Sequence, residues 1–178
     1  IAGVCFTGST DTARLINTAM ATKGNPHAPL IAETGGLNAM IVDSSALPEQ
    51  AVRDIVTAAF QSAGQRCSAL RVLFVQSDIA DNLLVLLKGA MDELCIGDPW
   101  DLQTDVGPVI DEESRGVIEA HCQKMEQADR LIGKIAHHSE HGFFVNPAAY
   151  RLQNIGELEQ EIFGPVLHVV RFEAGNLE

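Results

Sequence analysis

Basic residues are scarce in this sequence: 12 Lys and Arg stand against 24 Asp and Glu, a formal net charge of −12. Phosphate backbones are bound by clustered Lys and Arg, so this balance argues against nucleic acid as a partner of the segment and disfavours anionic membrane surfaces. Long hydrophobic runs are missing as well. No apolar stretch approaches the roughly 20 residues that cross a bilayer, and nothing at Ile1 has the pattern of a secretory signal. There is no CxxC pair. Cys5, Cys67, Cys95 and Cys122 lie far apart, which fits reduced thiols in the cytoplasm better than a disulfide framework or a zinc site. An initiator Met is lacking too: the chain opens on Ile1 inside an expected strand and stops at Glu178 just past another, as expected of a piece of a longer protein.

What is present is ordinary for a soluble α/β protein. Hydrophobic residues make up 46% and charged residues 20% of 178 positions, enough for one domain, or one plus part of a second, around a sizeable core. Residues 2–6 form a short apolar run ending in Thr7-Gly8-Ser9-Thr10, and Leu15, Ile16 and Ala19 then share one face of a helix expected over 11–23, capped by Ser9 or Thr10. Gly24-Asn25-Pro26 stops it. Strands are expected at 29–33 and 38–42 around the turn Thr34-Gly35-Gly36. From Pro48, the positions Val52, Ile55, Val56, Ala59 and Phe60 follow helical spacing, and Gly64 closes that helix just ahead of Cys67. A strand at 71–76, a helix at 78–94, an ordered loop at 98–111 and a helix at 111–128 follow. Short strands at 131–136, 143–145 and 167–172 complete the run. Strands alternating with helices imply an α/β domain with a largely parallel sheet.

Several residues are candidates for chemistry. Cys67, in Gly64-Gln65-Arg66-Cys67-Ser68, sits on a loop where a thiol can be exposed, with Arg66 beside it to favour thiolate; a lone cysteine is, however, more often a small buried hydrophobe. Cys5, Cys95 and Cys122 lie in apolar periodic segments and read as packing residues. Glu33 ends an apolar strand, where partial burial would suit a general base, while the plainer reading is a strand-end carboxylate facing water. Gly8 and Ser9 stand at a helix N-terminus, which can receive a phosphate or can simply be capped. Glu161-Ile162-Phe163-Gly164-Pro165 puts an acid and an aromatic beside a turn. His137, His138 and His141 form HHSEH, but no second ligand set stands at zinc spacing, and the reading is a solvated loop with no metal.

Taken together, FTGST, ETGG, GQRC and EIFGPV follow the motif order of the aldehyde dehydrogenase superfamily, and the chain resembles that superfamily over nearly its whole length. The resemblance implies that Cys67 is the catalytic nucleophile and Glu33 the base. It also implies that Glu161 and Phe163 hold the nicotinamide ribose of NAD, and that Gly8 and Ser9 form the turn next to its pyrophosphate. The intervening segments ETGGLNAMIVDSSALPEQ, SAGQRCSALRVLFVQ, IGDPWDLQTDVGPVID and FGPVLHVVRF resemble the branch of the family that oxidises L-glutamate 5-semialdehyde, the hydrolysed form of 1-pyrroline-5-carboxylate, to glutamate. In that branch the activity belongs to a bifunctional flavoenzyme of proline catabolism, with FAD in a separate proline dehydrogenase domain, and the protein is a homo-oligomer.

By this resemblance residues 1–36 are the end of a Rossmann-like NAD-binding domain and residues 37–178 a truncated catalytic domain. The family's oxyanion Asn and ribose-contacting Lys fall upstream of Ile1. Its substrate-carboxylate loop and oligomerisation flap fall outside the segment. Residues 129–147 look shorter than in relatives. The presence of Glu33 favours hydrolysis by water over acyl transfer to coenzyme A. A rival of a different class is a non-catalytic folding or interaction module, because a catalytic domain without its cofactor domain can be inert.

Overall fold

The computed structural model describes residues 1–136 and 141–175. His137 and His138 of the HHSEH loop lie outside them. The chain divides into two compact units, Ile1–Gly36 and Leu37–Glu178, and each is described by itself.

In the first unit β1 (Val4–Thr7) pairs in parallel with β2 (Leu30–Glu33), Thr7 standing opposite Glu33. Between them runs α1 (Thr10–Lys23), capped by Ser9, whose Oγ accepts from the Thr12 amide at 3.2 Å. Gly24 ends it. The pleat of β1 turns Val4 and Phe6 one way and Cys5 and Thr7 the other. Cys5 is therefore exposed, and its reading as a packing residue is corrected.

The second unit is a five-stranded sheet in the order β3-β4-β7-β6-β5. Its strands are β3 (Ala39–Val42), β4 (Val72–Gln76), β5 (Leu131–Lys134), β6 (Ala148–Leu152) and β7 (Val166–Phe172). All neighbours are parallel except the edge pair β5–β6. The helices are α2 (Pro48–Phe60), with Pro48 in its first turn, α3 (Ser77–Asp92) and α4 (Glu112–Gln127), capped by Asp111. The central strands read almost wholly apolar, as strands covered on both faces do: Val72, Leu73, Val75, Val166, Leu167 and Val169 are all fully buried. Across the sheet Val72, His168 and Tyr150 stand in one row. His168 and Tyr150 reach α4 from that row, at His121 and Glu126.

Two expectations fail here. Residues 143–145 are not a strand: Pro147, which has no N–H to give, interrupts the ladder, and pairing with β7 begins at Ala148. The segment is held instead by the Phe143 carbonyl, which accepts from the Val109 amide at 2.8 Å. The strand that does form, β6, is built on Ala148-Ala149 and lacks the β-branched signature that marks β7. Cys95 is exposed rather than packed. It lies beyond α3, where its carbonyl accepts from the Asp105 and Val106 amides and the backbone, not the thiol, makes the contacts.

Candidate functional site

After Phe60 the chain leaves α2 through a turn in which Ser62, Ala63 and Gly64 all have positive φ, at 58°, 51° and 66°. Such a run of left-handed residues is costly for Ser and Ala and persists only where the surroundings impose it. The reason for Gly64 is close approach: a Cβ there would lie 2.1 Å from the carbonyl oxygen of Gly164. Gln65 fastens the turn to a neighbouring loop. Its Nε2 donates to the Pro108 carbonyl at 3.2 Å and its Oε1 accepts from the Ile110 amide at 2.8 Å.

The next residues carry Cys67, and the scaffold grips their backbone. Asn38 Nδ2 donates to the Cys67 carbonyl at 2.6 Å and to the Ala69 carbonyl at 3.1 Å. The Asn38 carbonyl in turn accepts from the Arg71 and Val72 amides. The Leu70 amide donates back to Ala58 of α2 at 2.9 Å. Cys67 itself is exposed, on a main chain whose carbonyl Asn38 holds. Arg66 is turned towards α2, with Nη2 3.5 Å from the Thr57 carbonyl.

Arg71 is the residue that motif reading passed over. It is fully buried, yet every nitrogen of its guanidinium is used. Nε pairs with Glu161 Oε1 at 2.9 Å, Nη1 donates to the Gly164 carbonyl at 3.2 Å, and Nη2 donates to the Arg66 carbonyl at 3.2 Å. Its Cζ also lies 5.1 Å from the centre of the Phe163 ring, within cation–π range. Burial pulls the guanidinium below the ordinary arginine value, and the hydrogen bond and charge of Glu161 oppose that. Glu161 and Phe163 are thereby gathered on one side chain that also holds the carbonyl next to Cys67. Phe163 keeps 45% of its surface open. The one available signal was a charge set inside the apolar run Ala69-Leu70-Arg71-Val72-Leu73, where a paired charge is the reasonable expectation.

Behind Arg71 lies a histidine pair. His168 is fully buried, its Nδ1 is 3.2 Å from the Arg71 carbonyl, and its Nε2 is 2.8 Å from His121 Nε2. Burial, and then the charge of His121, push His168 down to about 4. Burial and Lys124 lower His121. Both shifts favour the uncharged rings, and the short contact between them is a hydrogen bond in which one Nε2 donates and the other accepts.

In the first unit, Glu33 closes β2 and is exposed, and its carbonyl accepts from the Gly8 amide at 3.1 Å. The partial burial expected of its carboxylate is not found. Gly8 and Ser9 lead into the first turn of α1, where Ser9 is committed to the cap and Asp11 pairs with Arg14. Among the described residues no three His, Cys, Asp or Glu side chains are grouped so as to hold a metal, and no helix is long and apolar enough to cross a membrane.

An exposed cysteine on a backbone-pinned loop, beside a Glu–Phe pair held by a buried arginine, is the arrangement in which the family profile for aldehyde dehydrogenases matches residues 1–176, and the chain belongs to the aldehyde dehydrogenase family. It is similar to the bifunctional protein PutA of Salmonella typhimurium, 52% identical over 99% of this chain. The chain spans about 14% of the length of that curated relative. A crystal structure of proline utilization A from Bradyrhizobium japonicum superposes with a TM-score of 0.94 at 54% identity, covering 99% of this chain and 18% of that one. A 1-pyrroline-5-carboxylate dehydrogenase of Geobacillus kaustophilus is 34% identical over 78% of the chain and 27% of its own length.

Proposed function

We propose that this chain is the nucleophile-bearing part of an NAD-dependent L-glutamate 5-semialdehyde dehydrogenase, a cytoplasmic bifunctional enzyme of proline catabolism. The observation that carries the reading is the Cys67 loop: an exposed cysteine on a backbone that Asn38, Gln65 and Arg71 hold by hydrogen bonds. A nucleophile held in one place can meet a carbonyl carbon without first being ordered. The names of the relatives, proline utilization A and 1-pyrroline-5-carboxylate dehydrogenase, support the substrate.

In this reading Cys67 Sγ adds to the aldehyde carbon as a thiolate, giving a thiohemiacetal, and the Cys67 amide helps hold the developing oxyanion. The Glu161 carboxylate is chemically suited to accept from ribose hydroxyls, and the open face of Phe163 to lie against a ring system. Gly8 and Ser9 take the phosphate side at the N-terminus of α1. NAD would supply the hydride acceptor for the thiohemiacetal carbon, with Glu161 and Phe163 as the residues that would hold its nicotinamide ribose. Cys67 is then a thioester, and Glu33 removes a proton from the water that hydrolyses it to glutamate, releasing the thiolate.

The test is a rapid-mixing assay of the intact protein with glutamate 5-semialdehyde and NAD. Glu33→Gln should keep a first-turnover burst of NADH, since reduction precedes hydrolysis, while steady-state turnover collapses by about a hundredfold or more. Unchanged steady-state turnover would remove Glu33 from the mechanism. The 178-residue chain alone should neither bind NAD at micromolar concentration nor form NADH. The described part of its first unit holds one strand pair and one helix, and a dinucleotide crevice needs more strands than that. Micromolar binding by calorimetry would overturn this part.

A further inference from the structure

We propose that Arg71 is a positioning residue that couples the Glu161–Phe163 loop to the Cys67 loop, so that a change at one is felt at the other. The proposal rests on the roles given above to Cys67 and Glu161. It adds a connection that neither motif contains.

The geometry allows little independence. Glu161 receives Arg71 Nε, the Gly164 carbonyl receives Nη1, and the Arg66 carbonyl, one residue before Cys67, receives Nη2. These three donors belong to one planar group and move together, because a guanidinium is rigid. The group cannot retreat into solvent, since Arg71 is fully buried. Nor can its backbone slide. The Arg71 amide donates to the Asn38 carbonyl, and the Arg71 carbonyl accepts from the His168 amide at 2.9 Å and faces His168 Nδ1 at 3.2 Å. The two loops also touch without Arg71: Gly64 leaves no room for a Cβ against Gly164. A displacement of the Glu161 carboxylate therefore either breaks a buried ion pair or carries the guanidinium, and with it the Arg66 carbonyl. Lysine cannot substitute, because a single ammonium on a flexible stem cannot serve three acceptors in a fixed plane.

The experiment reads Cys67 without needing turnover. Intact protein is treated with iodoacetamide, and alkylation of each cysteine is followed by mass spectrometry in wild type, Arg71→Lys, Glu161→Gln and the double variant. Exposed Cys95 is the internal reference. Arg71→Lys and Glu161→Gln should each slow Cys67 relative to Cys95 by about threefold or more, and the double variant should be no slower than Arg71→Lys alone, the non-additivity expected of groups in one network. In the NAD assay Arg71→Lys should raise KM for NAD by about fivefold or more, with most of that rise absent in the Glu161→Gln background. A Cys67 rate unchanged in Glu161→Gln overturns the coupling. So do fully additive effects. Should Arg71→Lys not fold, Glu161→Gln, which keeps the arginine and the shape, decides alone by the same criterion. Failure of the functional reading looks different: Cys67→Ser would still oxidise aldehyde, whatever the alkylation rates do.

Discussion

Residues 1–36 hold Gly8, Ser9 and Glu33 on one strand pair and one helix cap, whereas residues 37–178 hold Cys67, Glu161 and Phe163 through side chains that reach across a continuous apolar core. In the first unit the cap on α1 reaches three residues along, and among its described hydrophobic residues only Ala13 and Met20 are buried. In the second, Asn38 reaches the carbonyl of Cys67, and Arg71 reaches Glu161, 90 residues away, over a continuous apolar core. The difference teaches where a substitution will be felt. A change at the α1 cap should be felt in α1. A change around Cys67 either removes chemistry alone, if it touches the exposed cysteine, or spreads, if it touches the scaffold beneath.

The largest effect should come from Cys67→Ser in the intact enzyme. Aldehyde oxidation should fall by more than about a thousandfold, because a hydroxyl is not ionised at neutral pH as a thiol can be. Thermal unfolding should stay within about 1 °C of wild type, since an exposed side chain supports no packing. Residual turnover, or a large loss of stability, would break the distinction between thiol and scaffold. Next is Gly64→Ala. The added methyl meets the Gly164 carbonyl and must also adopt φ +66°, so urea unfolding should show a loss of about 4 kcal/mol. A loss under 1 kcal/mol would mean that the two loops are not in contact as described.

The histidine pair supplies the third test. His168 falls from 6.5 to about 4 in the folded protein, so the unfolded chain takes up its proton first as pH falls. Stability is therefore full above 6.5 and lost progressively as pH drops towards about 4, by about 2 kcal/mol between about pH 7 and pH 5. His121, also lowered, acts in the same direction. In His168→Asn, whose amide can still face the Arg71 carbonyl, the difference in stability between those two pH values should shrink by that amount. An unaltered pH dependence would show that His168 is not the group responsible. The smallest effect belongs to the first unit: Ser9→Ala should cost about 1 kcal/mol through the lost cap. That cost should appear as faster amide exchange in α1, and exchange in α1 unchanged from wild type would contradict the role of the Ser9 cap.

Much of the fold was legible in the sequence because helical spacing and apolar runs are local signals. Pro48 with Val52, Ile55, Ala59 and Phe60 marks α2, and Val166–Phe172 is strand-like on inspection. The alternation of these elements carries the parallel sheet with it. β6 was not legible, since Ala148 and Ala149 have no preference for a strand and take one only because β7 lies alongside. Within the candidate site, Cys67, Glu33, Glu161 and Phe163 were named from their motifs. Asn38 and Arg71 were not, although both stand inside or beside quoted segments. What marks them is the partner each finds across 29 and 90 residues, and no window along the chain contains both members of such a pair. The left-handed turn was half visible: Gly64 signalled it, while Ser62 and Ala63 have that conformation imposed by the neighbours of the turn.

The strand order has a temporal consequence. Because β4 lies between β3 and β7, a growing polypeptide released from the ribosome as far as residue 130 has β4 with one flank open and Arg71 with no carboxylate to meet. The loop that presents Cys67 can be completed only when β7 arrives, since pairings this distant in sequence close late. During synthesis the thiol therefore precedes its own scaffold. Whatever guards nascent chains from oxidation and from edge-to-edge pairing must cover the interval between translation of β4 and translation of β7, and a stalled or prematurely ended product would carry an unrestrained cysteine beside an open strand edge.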